Sequence, residues 1–334
     1  MRAWLLEEPG PIESAPLSLR DLPDPVPGTG EIALDVSVCG LCRTDLHVIE
    51  GELARQRPAI VPGHQVVGRV AALGAGARRF ALGARVGVAW LWRACGACAY
   101  CGRGEENLCR TPAFTGWHEN GGFAERVRVP EDFAYALPES LDDESAAPLL
   151  CAGIIGLRAL RRSGIRGGEK LGLYGFGSSA HIALQIARHW GARVFVVTRE
   201  ASHRALALAL GAEWAGELGA RPPEKLDASV LFAPVGTLVP PALEALAPGA
   251  TLACAGIHMS DVPTLDYARH LFDERTLTSV TANTRADGRE LLALAAEIPL
   301  RPRTTAFGFA EANQALLALK RGVIAGSGVL RIRR

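Results

Sequence analysis

The chain has 334 residues, with 36 basic against 35 acidic side chains and a formal charge of +1 at pH 7. This balance removes the electrostatic reason to expect nucleic acid or an anionic membrane as a partner, and no apolar run approaches the roughly 18 residues of a membrane helix. The length exceeds what one hydrophobic core usually serves, so two domains of a cytoplasmic protein acting on a small neutral molecule are expected.

In chain order, "IALDVSVCG" (32–40) alternates apolar and polar residues as a half-buried strand does, which makes Cys39 a core cysteine. "GLCRTDLH" (40–47) follows, and "IVPGHQVVGRV" (60–70) reads as strand, turn, strand with His64 and Gln65 in its turn. Taken alone, His64 fits a packed or turn-capping histidine better than a ligand. "VAWLW" (88–92) and "TGWHENGGFAE" (115–125) bring Trp90, Trp92 and Trp117. They are expected either to wall a bulky apolar substrate pocket or to pack beneath a neighbouring lobe.

That lobe is "CGACAYCGRGEENLC", in which Cys95, Cys98, Cys101 and Cys109 follow a C-x2-C-x2-C-x7-C spacing within about 93–112. A reducing cytosol disfavours disulfides, and short steps of this kind let thiolates converge on one tetrahedral ion. Four thiolates close the coordination shell, so the ion is expected to be structural zinc. An iron–sulfur cluster would want the proline and the fourth-cysteine spacing of the ferredoxin run, which are missing.

"EKLGLYGFGSSAHIALQIARHWGARVFVVTRE" is an apolar strand, a glycine turn, an amphipathic helix ending near Gly191 and a second strand. In that context Gly175, Phe176, Gly177, Ser178 and Ser179 are expected to meet the pyrophosphate of a dinucleotide at the helix N-terminus. The end of the second strand carries Thr198 and Arg199 where NAD enzymes place an acid on the ribose hydroxyl. NADP(H) is therefore preferred over NAD(H), with Glu200 as the residue that a one-position shift would bring back to the ribose. His203 and Arg204 either add to phosphate binding or form a solvated helix face. Further strands, "ASVLFA" and "TLACAG", continue the alternation of strand and helix that a doubly wound parallel sheet requires, and Cys254 reads as a buried strand cysteine. "GFAEANQALLALKRG" is a helix before the last strand, "GVLRIRR".

The motifs "GLCRTDLH", "PGHQVVG", the four-cysteine lobe, "TGWHENGGFAE", "LLCAG" (149–153) and "YGFGSSA" (174–180), in this order, resemble the zinc-dependent medium-chain dehydrogenases, the alcohol dehydrogenase family. The resemblance runs over essentially the whole chain. It implies an α/β fold in which a β-rich GroES-like catalytic domain (1–148) precedes a Rossmann-type doubly wound domain (149–285), with 286–334 returning to the first. It also implies that Cys42, His64 and Cys151 hold a catalytic zinc, that Asp45 orients His64, and that Gln65 lies in the surrounding layer. Thr44 and His47 would carry the proton of the substrate hydroxyl, and Arg43 would reach the pyrophosphate. Two zincs per chain, a primary alcohol or aldehyde as substrate, and a homodimer or homotetramer complete the expectation. Gln65, Ile155 and Ser327 depart from the family's common Glu, Thr and Arg. They motivate the alternative of a zinc- and nucleotide-binding member with lost or very narrow activity.

Overall fold

The computed structural model describes residues 1–333. The chain divides into two compact units, one of Met1–Cys151 with Ala282–Arg334 and one of Ala152–Thr281. Their limits fall three residues after and four residues before the expected 148/149 and 285/286 boundaries.

The first unit is built on a mostly antiparallel sheet. Its long strands Glu31–Gly40 and Gln65–Leu73 pair along nearly their full length, and Arg85–Val88 and Ala134–Ala136 extend it on one side. On the other side Ser327–Arg331 pairs with Glu31–Gly40, and Thr304–Gly308 lies parallel to it, so the C-terminal segment completes a sheet begun near the start of the chain. Alternation along Glu31–Gly40 turns Ile32, Leu34 and Val36 into the core, and a register shift between Val36 and Val38 then brings Cys39 rather than Val38 to the same side. Cys39 is fully buried in the same core, and burial pushes its thiol up. The expected strand ahead of His64 is not formed: Ile60 makes a single bridge to Leu6 and strand pairing starts at Gln65. Pro62 supplies no amide for a ladder, which is the local reason.

The second unit is a six-stranded parallel sheet of Lys170–Tyr174, Arg193–Val197, Trp214–Gly216, Leu226–Leu231, Leu246–Cys254 and Thr276–Ser279. Counted in chain order, its strands stand as 3-2-1-4-5-6, the doubly wound arrangement whose switch point receives dinucleotides. Near-continuous apolar runs such as "RVFVV" are buried on both faces, as parallel strands under helices must be. Among the described residues no helix is long and apolar enough to cross a membrane.

Candidate active site

Cys42 stands immediately before the helix Arg43–Ile49, and Asp45 sits in its first turn. The Asp45 carboxylate is 2% exposed and gathers three donors: the Cys42 amide (2.8 Å), the Gly63 amide (3.2 Å) and His64 Nδ1 (2.9 Å). One acid thereby ties the start of the helix to the loop bearing His64. It also settles the imidazole's tautomer, because Nδ1 must carry the proton it donates. Burial works against a charged His64, but the charge and hydrogen bond of Asp45 outweigh it and raise its pKa to about 10. His64 Nε2 is buried without a hydrogen-bond partner.

Cys151 arrives from a different direction. The helix Asp143–Pro148, started by Asp142 accepting from the Ser145 amide, runs into a π-helical turn, Leu149–Gly153, at whose centre Cys151 lies. Its sulfur is 3.9 Å from that of Cys42, and the donor atoms of Cys42, His64 and Cys151 lie within 4.8 Å of one another. Tetrahedral zinc with bonds of about 2.3 Å separates two thiolates by about 3.8 Å, so the donor set fits that ion. The Cys151 hydrogen bond holds the Cys42 thiol well below its usual range. Cys151 itself is pushed up by that bond and by burial.

The four-cysteine lobe passes the same test. Cys95 and Cys98 lie 3.8 and 3.6 Å from the Cys101 sulfur, and all four sulfurs fall within 4.8 Å of one another as free cysteines. The amides of Cys95 and Cys98 donate to the Cys109 and Cys95 sulfurs at 3.3 Å. Such amides favour thiolates, and those of Ala97 and Cys98 hold the Cys95 thiol below its usual range.

Thr44 is buried with its hydroxyl 3.6 Å from the Cys42 sulfur, and His47 follows on the same helix face. Gln65 is 1% exposed and opens its strand opposite Gly40. Trp90 meets His64 edge to face at 4.9 Å and stacks on Phe114 (4.9 Å) and Trp117 (6.0 Å). Trp92 does not join them. Its side chain packs in the core, where its indole donates to Arg128 O; an unbroken strand would turn residues 90 and 92 to one face, but Trp90 precedes the strand Leu91–Arg93, whose pairing is bulged between Leu91 and Arg93. Arg43 is exposed, reaching Lys320 O at 3.5 Å. Phe114 had no motif to mark it.

In the second unit Gly175 has φ +85°, and a Cβ there would come within 2.8 Å of the Ala233 amide, so the turn needs glycine. Phe176 is buried, and Gly177 precedes the helix Ser178–His189, which opens with Ser178 and Ser179. Thr198 is buried at the end of the second strand, while Arg199 is exposed and paired with Glu200 at 2.7 Å. Arg204 is not a freely solvated face residue: it donates to the carbonyls of Thr198 and Arg199. His203 is buried, 3.5 Å from Glu200. Ile155 lies in the helix Ile154–Ser163, and Ser327 is buried with its amide on Arg303 O.

A GroES-like unit with two metal-competent cysteine sets, joined to a dinucleotide-type sheet, defines a two-unit dehydrogenase. The alcohol dehydrogenase GroES-like domain family matches residues 28–139, and the zinc-binding dehydrogenase family matches residues 180–297. A probable alcohol dehydrogenase, AdhA, of Mycobacterium tuberculosis is 50% identical over 337 residues, covering 99% of this chain and 97% of the relative. An alcohol dehydrogenase of Geobacillus stearothermophilus is 32% identical over 95% of this chain and 96% of its own length. Among solved structures, a cinnamyl alcohol dehydrogenase of Sorghum bicolor superposes with a TM-score of 0.89 at 27% identity, covering 99% of this chain and 97% of that one. The chain belongs to the zinc-type medium-chain alcohol dehydrogenase family, whose members are nicotinamide-dependent alcohol oxidoreductases.

Proposed function

We propose that this enzyme transfers hydride reversibly between a nicotinamide cofactor and a primary alcohol or aldehyde, with one zinc at Cys42, His64 and Cys151 and a second at Cys95, Cys98, Cys101 and Cys109. The observation that carries the reading is the convergence of Cys42, Cys151 and an Asp45-oriented His64, three donors from distant segments within 4.8 Å of one another. When bound, zinc supplies Lewis-acid stabilisation of the substrate oxygen's negative charge and the nicotinamide accepts or delivers the hydride.

The chain's own residues do the rest. Two thiolates and, once the Nε2 proton is displaced by the ion, a neutral imidazole would offset the ion's charge, with Asp45 holding the other ring nitrogen of His64. The Thr44 hydroxyl would hydrogen-bond the substrate oxygen, and His47, one turn on along the same helix, would take the released proton on its way to water. Trp90, edge to face against His64 and stacked with Phe114 and Trp117, gives the site an apolar aromatic wall, which suits an aromatic alcohol or aldehyde. Gln65 supports the site as a buried neutral side chain in the layer behind His64.

Gly175 to Ser179 hold the pyrophosphate at the N-terminus of the helix Ser178–His189. Thr198 and Arg199 select NADP(H), because no carboxylate stands at Thr198 and the Arg199 guanidinium can leave Glu200 for a 2'-phosphate. The enzyme works in the cytoplasm, where its free thiols stay reduced, as a homodimer or homotetramer. Oxidation of NADPH and NADH over an aldehyde panel, with zinc quantified per chain, tests the reading; two zincs and no turnover with any aldehyde would defeat it.

A further inference from the structure

His47 lies in the last turn of the helix Arg43–Ile49, three residues after Thr44. The helix stops at Glu50, and Gly51 follows at φ +81°, a left-handed conformation that glycine adopts without steric cost. Two backbone bonds lock the reversal, Gly51 N–H to Val48 O at 3.3 Å and Leu53 N–H to His47 O at 3.0 Å. The chain folds back beneath the helix and brings the Glu52 carboxylate against His47 Nδ1. On a continuing helix, residues five apart diverge by about 140°, so this contact exists only because the helix ends there.

The His47 side chain is 12% exposed, whereas Glu52 is 41% exposed, so the carboxylate covers the ring from the solvent side. Other charged groups on this helix and on the helix Ala312–Lys320 packed against it are engaged elsewhere. Arg43 reaches Lys320 O, and the Lys320 ammonium bridges Glu13 (2.9 Å) and Glu50 (2.8 Å).

We propose that Glu52 is a positioning residue for the alcohol dehydrogenase reaction: by accepting from Nδ1–H it holds His47 in the tautomer whose Nε2 lone pair takes the proton an alcohol gives up. An acceptor on one ring nitrogen fixes the proton there and frees the other nitrogen as base, and a negative acceptor also stabilises the imidazolium once it forms. The inference rests on the dehydrogenase reading for its chemistry, but the contact itself is independent of zinc and cofactor.

The test begins with nitrogen-15 NMR of the histidine-labelled full-length chain, with His47 assigned by its loss in His47→Gln. The Nδ1–H tautomer is expected in the wild type and in Glu52→Asp, and the Nε2–H tautomer in Glu52→Ala. In steady-state alcohol oxidation, kcat of Glu52→Ala should fall roughly fivefold, with KM for alcohol and zinc per chain unchanged and most of the loss restored in Glu52→Asp. Added to His47→Gln, Glu52→Ala should cost nothing further. An unchanged tautomer in Glu52→Ala, or an undiminished loss on top of His47→Gln, overturns the proposal. A zinc-loaded wild type without turnover defeats the dehydrogenase reading instead, and the tautomer measurement still decides what Glu52 does.

Discussion

Glu106, inside the four-cysteine lobe, accepts two hydrogen bonds from Arg285, 179 residues later: its Oε1 is 3.0 Å from both the backbone amide and Nε. The Glu106 side chain is 8% exposed, and the Arg285 guanidinium also covers the Phe133 ring at 4.8 Å. The pair fastens the lobe to the start of the helix Arg285–Glu297, within the same unit.

Replacing Glu106 by Gln should therefore destabilise the protein by about 1–3 kcal/mol, the cost of leaving partly buried donors poorly matched. Burial works to raise the Glu106 carboxyl, but the Arg285 amide and guanidinium outweigh it and hold it below the usual carboxylate range. A depressed folded-state pKa gives stability that is present above the unfolded value and lost as pH falls through the folded one. The difference in thermal midpoint between wild type and Glu106→Gln should hold steady from about pH 5 upward and shrink below about pH 4. A difference that grows in acid would contradict the assignment.

Cys151→Ser should remove one of two zincs per chain and abolish turnover, since a serine hydroxyl stays protonated where a thiolate is needed. Cys109→Ser should remove the other zinc and lower the thermal midpoint while residual turnover persists in the folded fraction. Metal analysis beside a turnover assay checks both. Unchanged activity in Cys151→Ser would sink the ligand assignment.

Arg199→Ala should weaken NADPH about tenfold, the worth of one charge-assisted contact to a phosphate, and leave NADH within about twofold. Fluorescence titration of each cofactor measures it. Equal effects on both would remove the case for NADP(H).

Gly175→Ala should lose nucleotide binding and cost about 1–3 kcal/mol, because the added Cβ meets the Ala233 amide at 2.8 Å in a left-handed backbone. Titration calorimetry with either cofactor, alongside thermal melting, reads the two effects separately. Full affinity would show that the glycine turn does not face the pyrophosphate.

Local order and identity were legible where chemistry and spacing coincide within a few residues. The four cysteines from Cys95 to Cys109 announce by their steps alone that their sulfurs gather, as they do, and "YGFGSSA" announces a strand-to-helix turn by its glycines. Cys42, His64 and Cys151 could be assembled only through a family resemblance, because nothing local distinguishes Cys42 from Cys39 three positions earlier. The difference between them is tertiary. Cys39 points into the sheet's core, while Cys42 lies past the strand's end at a helix start facing Cys151.

By itself, then, the amino-acid sequence determined the alternating strands and helices of the doubly wound sheet, the close spacing of four thiols and the strand-to-helix glycine turn, all written in periods and spacings of a few residues, whereas the division into two units came from chain length and the family resemblance. Only the tertiary structure decided that Asp45 draws Cys42, Gly63 and His64 onto one carboxylate, and that a π-helical turn presents Cys151. The same holds for Trp90 rather than Trp92 lying beside His64, for Glu52 folding back on His47, and for Arg285 holding Glu106. Each of these depends on where a helix ends or a strand begins to pair, and those limits are set by the packing of segments far apart in the chain.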